Sequence, residues 1–267
     1  MCKDSQIYYA NSLNDIFYQM KSIPGIRLVS GCTQKKHIPP VSLCVRNIEE
    51  LNFSRKYERF FEFGPEITLS SILKIDPAKL PHVFYEAVKS IANTNIRNIA
   101  TLAGNICADD FYHTLVAPLV ALDAKLEIQS RDKTEYIQMA KFNGIPKDFV
   151  LTKVIVPTDD WEVAFFKKLG PLHAIDRNSA SFVFLANTVK GQLSNLKIAF
   201  AGSFCLRSFD LENSLVGSYL PLTRTSIEDF LKLAEETYDS ESAKTKVPPI
   251  LKDQFLNLLK YSIEQLT

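Results

Sequence analysis

The sequence has almost no net charge: 31 Lys and Arg residues face 30 Asp and Glu, a formal +1 at pH 7. A nucleic-acid binder carries a basic excess or stripe, and neither is present. No apolar run approaches the roughly 20 residues needed to span a bilayer. The opening Met1-Cys2-Lys3-Asp4-Ser5 is polar and leads into no signal-type apolar core. A cytoplasmic protein without nucleic-acid or membrane partners is therefore expected. The five cysteines, Cys2, Cys32, Cys44, Cys107 and Cys205, are far apart and form no Cys-x-x-Cys pair. That spacing argues against an iron–sulfur or structural zinc site within this chain. Their odd number argues against a disulfide framework. Free thiols are the expectation. The chain also lacks Gly-x-Ser-x-Gly, His-Glu-x-x-His and Walker loops. Its histidines, His37, His82, His113 and His173, lie far from one another. Nothing here supports hydrolysis or a metal centre, and there is no internal repeat or low-complexity segment.

What is present is ordinary globular material, with 46% hydrophobic and 23% charged residues. A length of 267 residues favours two domains. Ile7–Ala10 reads as a short strand. Ser12 caps a helix whose Leu13, Ile16, Phe17 and Met20 share a face, and Pro24-Gly25 ends it. Strands follow at Ile26–Val29 and Val41–Val45. A strand is expected over 60–64, and a short helix from Thr68 or Ser70 to Leu73. Pro81–Ala92 is a helix with proline in its first turn. Asn93–Asn105 has neither helical nor strand period and reads as a functional loop. The apolar stretch Leu115–Leu122 leads to strands at Lys125–Gln129 and 148–156. Composition changes at Pro157-Thr158-Asp159-Asp160, which places a domain boundary after residue 158. Beyond it, strands near 162–168, 181–190 and 196–202 precede helices near 226–237 and 249–266, an α+β arrangement. The charged and polar 238–246 segment reads as a loop.

Two loops carry candidate chemistry. Leu28-Val29-Ser30-Gly31-Cys32-Thr33-Gln34 is a strand running into small residues. Such a turn can aim several backbone N–H groups at one phosphate, with a glycine allowing close approach and Thr33 adding a hydroxyl. An ordinary strand-to-turn junction fits the same residues. The second is Ile91-Ala92-Asn93-Thr94-Asn95-Ile96-Arg97-Asn98-Ile99-Ala100-Thr101-Leu102-Ala103-Gly104-Asn105-Ile106. It follows a helix and mixes small residues with Thr and Asn, and it is too apolar for disorder. A backbone winding around a ligand would use Gly104, with Thr101 and Asn105 as side-chain partners.

The second loop closely resembles the Ile-Ala-x-x-x-Ile-Arg-Asn-x-Ala-Thr-Ile-Gly-Gly-Asn-Ile pattern of the FAD-binding subunits of molybdopterin hydroxylases. That family includes xanthine dehydrogenase, aerobic carbon monoxide dehydrogenase and nicotinate dehydrogenase. The first loop stands where the family has Val-Ala-Gly-Gly-Thr. Phe63-Gly64-Pro65-Glu66-Ile67-Thr68-Leu69 resembles its Ile-Gly-Ala-x-x-Thr-Leu. Leu115 to Leu126 resembles a further segment, with Pro118 and Leu122-Asp123-Ala124 in register. The resemblance spans about residues 8–265 and is strongest from 84 to 128.

It implies an α+β fold. A two-lobed FAD-binding domain, a small α/β lobe plus a sheet lobe, would occupy 1–158. A C-terminal α+β domain with a three-stranded sheet and helices would occupy 159–267. The resemblance implies an electron-transfer subunit with FAD as cofactor. A [2Fe–2S] subunit and a molybdopterin-binding subunit would be partners, holding the clusters and the molybdenum cofactor, and NAD+ or another acceptor would take the electrons. It implies that Val29, Ser30, Gly31, Cys32, Thr33 and Gln34, together with Thr101, Ala103, Gly104 and Asn105, surround the diphosphate. Leu151 would lie beside the flavin ring and Lys168 near it; a solvated surface lysine is the other reading of Lys168. Arg97 reads as an anchor that ties the loop to a neighbouring carboxylate.

Five positions depart from the family pattern, one of them Gln34, where aspartate or asparagine is usual. Cys32 replaces a glycine, and Ala103 replaces the first glycine of the Gly-Gly pair; at positive φ such a change costs on the order of 1 kcal/mol. Asp110 stands where the family has a serine near the diphosphate, and Thr114 where it has an aspartate at the ribose. A carboxylate there repels by about 1–3 kcal/mol, one to two decades of affinity. Asp109-Asp110 facing solvent or capping the next helix is equally compatible, and His113 beside a helix start reads as structural. These departures keep open a flavin-free structural or assembly subunit. A stand-alone flavoenzyme is disfavoured because no acid/base pair accompanies the loops.

Overall fold

A computed structural model describes residues 6–33, 38–108, 111–171 and 175–266. In chain order it contains β1 (Gln6–Tyr9), α1 (Leu13–Ser22), β2 (Arg27–Val29), β3 (Val41–Cys44), β4 (Ser54–Lys56) and β5 (Phe60–Phe63). Next come α2 (Leu69–Leu73), α3 (His82–Lys89), α4 (Thr94–Arg97), α5 (Leu102–Ile106) and α6 (Val116–Ala121). Then follow β6 (Lys125–Gln129), β7 (Thr134–Gln138), β8 (Val150–Pro157), β9 (Val163–Leu169), β10 (Ala180–Val189), β11 (Gln192–Ala201) and β12 (Cys205–Leu206). The chain closes with α7 (Phe209–Asn213), α8 (Arg224–Ser242) and α9 (Pro249–Glu264). No helix among the described residues is long and apolar enough to cross a membrane.

The contacts divide the chain into two compact units. The first draws on Met1–Asp76, Ala92–Cys107 and Ala124–Thr158. Its N-terminal lobe is a parallel sheet in the order β1-β3-β2, which needs a crossover, and α1 supplies it. Ser12 caps α1 by accepting the Asp15 N–H at 3.1 Å, as its position before the apolar period implies. Ile16, Leu43, Val45, Ile48 and Leu51 form this lobe's core, with Leu13, Phe17 and Met20 against it. The second lobe is an antiparallel sheet in the order β4-β5-β8-β6-β7. Short β4 and β7 went unmarked by period. Their residues are exposed or half-buried, so little hydrophobic alternation distinguishes them from loop.

The second unit draws on Pro77–Ile91, Ala108–Asp123 and Asp159–Thr267. Its antiparallel sheet runs β12-β11-β10-β9. The expected three strands are all there, and the two-residue β12 makes a fourth, too short to leave a pattern in the sequence. Every residue of β10 from Ala180 to Ala186 is buried, so both faces of the strand are covered. Phe182, Phe184 and Ala186 join the core that also holds Phe230, Leu251, Phe255 and Leu259. The alternate positions face the other way, and α6 packs against β10 and β11 while α3 packs against β9.

Two local expectations are corrected. Residues 238–242 continue α8 instead of forming a loop. Tyr238 is only 2% exposed and sits edge-on to Phe200 and Phe204, so burial of one ring holds the polar last turn in place. Asn93–Asn105 is not aperiodic. It holds two short helical stretches, α4 and α5, because Asn93 accepts the Ile96 N–H at 3.0 Å and Thr101 the Gly104 N–H at 3.1 Å.

Candidate functional site

In the first unit the two loops singled out from the sequence meet. Val29 is buried at the end of β2, and its carbonyl accepts the Val45 N–H at 3.0 Å. The chain then turns through Ser30, Gly31, Cys32 and Thr33. A Cβ on Gly31 would lie 2.0 Å from the Ile99 carbonyl oxygen and 2.9 Å from its carbon. Only glycine permits this approach, so the first loop rests directly on the backbone of the second. Cys32 follows at φ 50, in the left-handed region. Among the described residues, no protein acceptor takes the N–H groups of Gly31, Cys32 and Thr33. These three donors sit in consecutive residues of one turn and suit an anionic group.

The second loop is fastened by a third segment. Leu69 N–H donates to the Ala100 carbonyl at 3.0 Å, Leu102 N–H to Ile67 at 3.0 Å and Ala103 N–H to Pro65 at 2.9 Å. Arg97 was expected to tie the loop to a neighbouring carboxylate; two of its bonds go to the loop's own residues. Its Nη1 donates to the Ala92 carbonyl at 2.7 Å and its Nη2 to Thr94 Oγ1 at 3.2 Å. Thr101 is the cap of α5. The amides of Leu102, Ala103, Gly104 and Asn105 are all bonded within the protein, unlike those of Gly31, Cys32 and Thr33. A Cβ on Gly104 would meet only Thr101 Oγ1, at 3.2 Å. Ala103 lies in α5 and is not among the residues with positive φ, so alanine carries no backbone penalty there. The penalty on the order of 1 kcal/mol falls at Cys32 instead.

Glu66 stands in the Phe63–Leu69 stretch, which gave it no role of its own. Glu66 is only 7% exposed, and its carboxylate accepts a short hydrogen bond from Ser30 Oγ. Burial pushes its carboxyl up to about 7, while the Ser30 hydrogen bond and the Arg46 charge pull it back. The one available signal was a charged residue directly after Gly64-Pro65, within the stretch that the resemblance covers.

The remaining candidates are dispersed. Leu151 belongs to the same unit, in β8 opposite Ile128, and is 2% exposed. Thr114 and Lys168 belong to the second unit. Thr114 and His113 are buried just before α6. Lys168 lies near the end of β9, where its ammonium donates to the Ser90 carbonyl at 3.4 Å and partial burial holds it below the usual lysine range. Gln34 and Asp110 lie outside the described residues. Among the described residues, Cys32, Cys44, Cys107 and Cys205 form no disulfide.

Comparison with known proteins adds three findings. The family model described as the FAD binding domain in molybdopterin dehydrogenase matches residues 3–159. The nicotinate dehydrogenase FAD-subunit of Eubacterium barkeri is 24% identical over 275 residues, covering 92% of this chain and 90% of that protein. The solved structure of reconstituted CO dehydrogenase from Oligotropha carboxidovorans superposes with a TM-score of 0.82 at 17% identity, covering 97% of this chain and 96% of the other. That last likeness is one of fold.

Proposed function

The chain belongs to the family of FAD-binding domains in molybdopterin dehydrogenases, and from that premise we propose that it binds FAD at the two meeting loops and passes electrons through it. It is an oxidoreductase subunit of a molybdenum hydroxylase family, the class that also contains the nicotinate dehydrogenase FAD-subunit. The observation that supports the site is the packing of Gly31 on the Ile99–Ala100 backbone, next to three consecutive donor amides with no acceptor among the described residues. Three consecutive donor amides in one turn suit a dinucleotide's diphosphate.

In this reading Gly31, Cys32 and Thr33 hold the diphosphate through their N–H groups, with Val29 and Ser30 leading in. Thr101, Ala103, Gly104 and Asn105 would form the opposing wall. Leu151 would lie beside the ring. The flavin supplies the redox chemistry, accepting electrons singly and releasing them as a pair. Electrons would come from [2Fe–2S] clusters of one partner subunit, fed by a molybdopterin-binding subunit, and leave to NAD+ or another acceptor. Residues 1–158 would serve as the FAD-binding domain and 159–267 as the C-terminal flavoprotein domain, in the cytoplasm.

A flavin-free structural subunit is the second reading, favoured by the strained Cys32 and the buried Glu66 beside the loop. An absorbance spectrum of the purified chain, with and without added FAD, separates the two. Oxidised-flavin bands at about one per chain are expected. No flavin, and no binding at micromolar FAD, would refute the proposal.

A further inference from the structure

Glu66 has no part in the flavin reading above, yet it touches the donor loop. Its carboxylate accepts from Ser30 Oγ, one residue before the three open amides. Its backbone N–H donates to the Leu51 carbonyl at 2.9 Å, which fixes where the side chain starts. It is almost wholly buried, so little water screens its charge. Among the described residues, the charged group that acts on it is Arg46, which follows β3, and the hydroxyl that faces it is Ser30.

We infer that Glu66 is a positioning residue of this site, which orients the donor loop through Ser30 and takes up a proton when a diphosphate settles on Gly31–Thr33. The inference rests on the proposed flavin reading. The chemistry is one proton from solvent onto one carboxylate oxygen. The ionised carboxylate and the diphosphate are like charges on either side of Ser30. The protonated carboxyl removes that repulsion and keeps a carbonyl oxygen to accept the Ser30 hydrogen bond. Burial already brings the carboxyl to about 7, so the protonation is within reach near neutral pH. A unit charge within several ångströms of a diphosphate changes affinity by on the order of tenfold at the effective dielectric of a protein site.

The test is FAD titration of the whole chain by calorimetry between pH 6 and 8.5, in two buffers of different ionisation enthalpy. The wild type is expected to bind about tenfold more weakly at pH 8.5 than at pH 6, and to take up a proton on binding near the midpoint. Glu66→Gln is expected to bind at pH 8.5 as the wild type does at pH 6, with no proton uptake. Ser30→Ala removes the hydrogen bond that holds the carboxyl down, so its midpoint should move to higher pH. FAD binding with the same pH profile in wild type and Glu66→Gln would overturn the inference alone. Failure of every form to bind FAD at any pH would overturn the flavin reading and the inference with it.

Discussion

Gly31→Ala is the sharpest perturbation of the site. The new Cβ would stand 2.0 Å from the Ile99 oxygen, 2.9 Å from the Ile99 carbonyl carbon and 3.5 Å from the Ala100 Cα. A carbon–oxygen contact needs about 3.3 Å, so the loops must part by more than 1 Å. The second loop cannot easily yield, because the Ala100 carbonyl and the Leu102 N–H are bonded on either side of Thr101, to Leu69 and Ile67. The first loop must move instead, and it carries the donors. Overpacking costs about 1–3 kcal/mol, and the blocking atoms here are backbone, so a loss of about 3 kcal/mol is expected. Gly25→Ala is the control. It meets nothing within 4 Å but sits at φ +73, so it should lose only about 1 kcal/mol. Urea unfolding followed by far-UV circular dichroism measures both, since the lone tryptophan, Trp161, lies in the other unit. Flavin affinity should fall roughly tenfold or more in Gly31→Ala, the equivalent of one charge-assisted hydrogen bond. Stability within about 0.5 kcal/mol of wild type, together with unchanged FAD binding, would refute the packing of one loop on the other.

Three further outcomes are expected. Gly104→Val should abolish flavin retention yet keep the circular dichroism spectrum, because a Cβ there meets only Thr101 Oγ1 within the protein; full FAD content would sink the assignment of Thr101–Asn105. Cys32→Gly should gain about 1 kcal/mol by relieving the left-handed backbone, and an unchanged or lower unfolding midpoint would contradict that. Glu66 binds its proton more tightly folded than unfolded, so its contribution to stability is fully present below pH 4.5. That contribution is lost as pH rises to about 7, up to about 3 kcal/mol in all. Urea midpoints at pH 5 and pH 8 should therefore differ less in Glu66→Gln than in wild type; equal differences would show that Glu66 is not the group responsible.

Local chemistry was legible without coordinates. Ser12 before an apolar period announced α1, and a strand was expected near 181–190, where β10 lies. Gly104 and its neighbours carried the family pattern that the comparison bears out. These features involve a few adjacent residues, and their physics acts over one turn or one strand. Asn93 and Thr101 were equally local, but each caps only a short helical stretch, too brief to create a period. Other features join residues distant along the chain. The approach of Gly31 to Ile99, the burial of Glu66 beneath Ser30 and the packing of α3 and α6 on the sheet of the second unit belong to that class. Sequence alone determined which residues could form a donor loop and which helices and strands were available. The tertiary structure decided which backbone lay against that loop and which charge was sealed beside it, because close approach and desolvation depend on atoms that no neighbouring residue supplies.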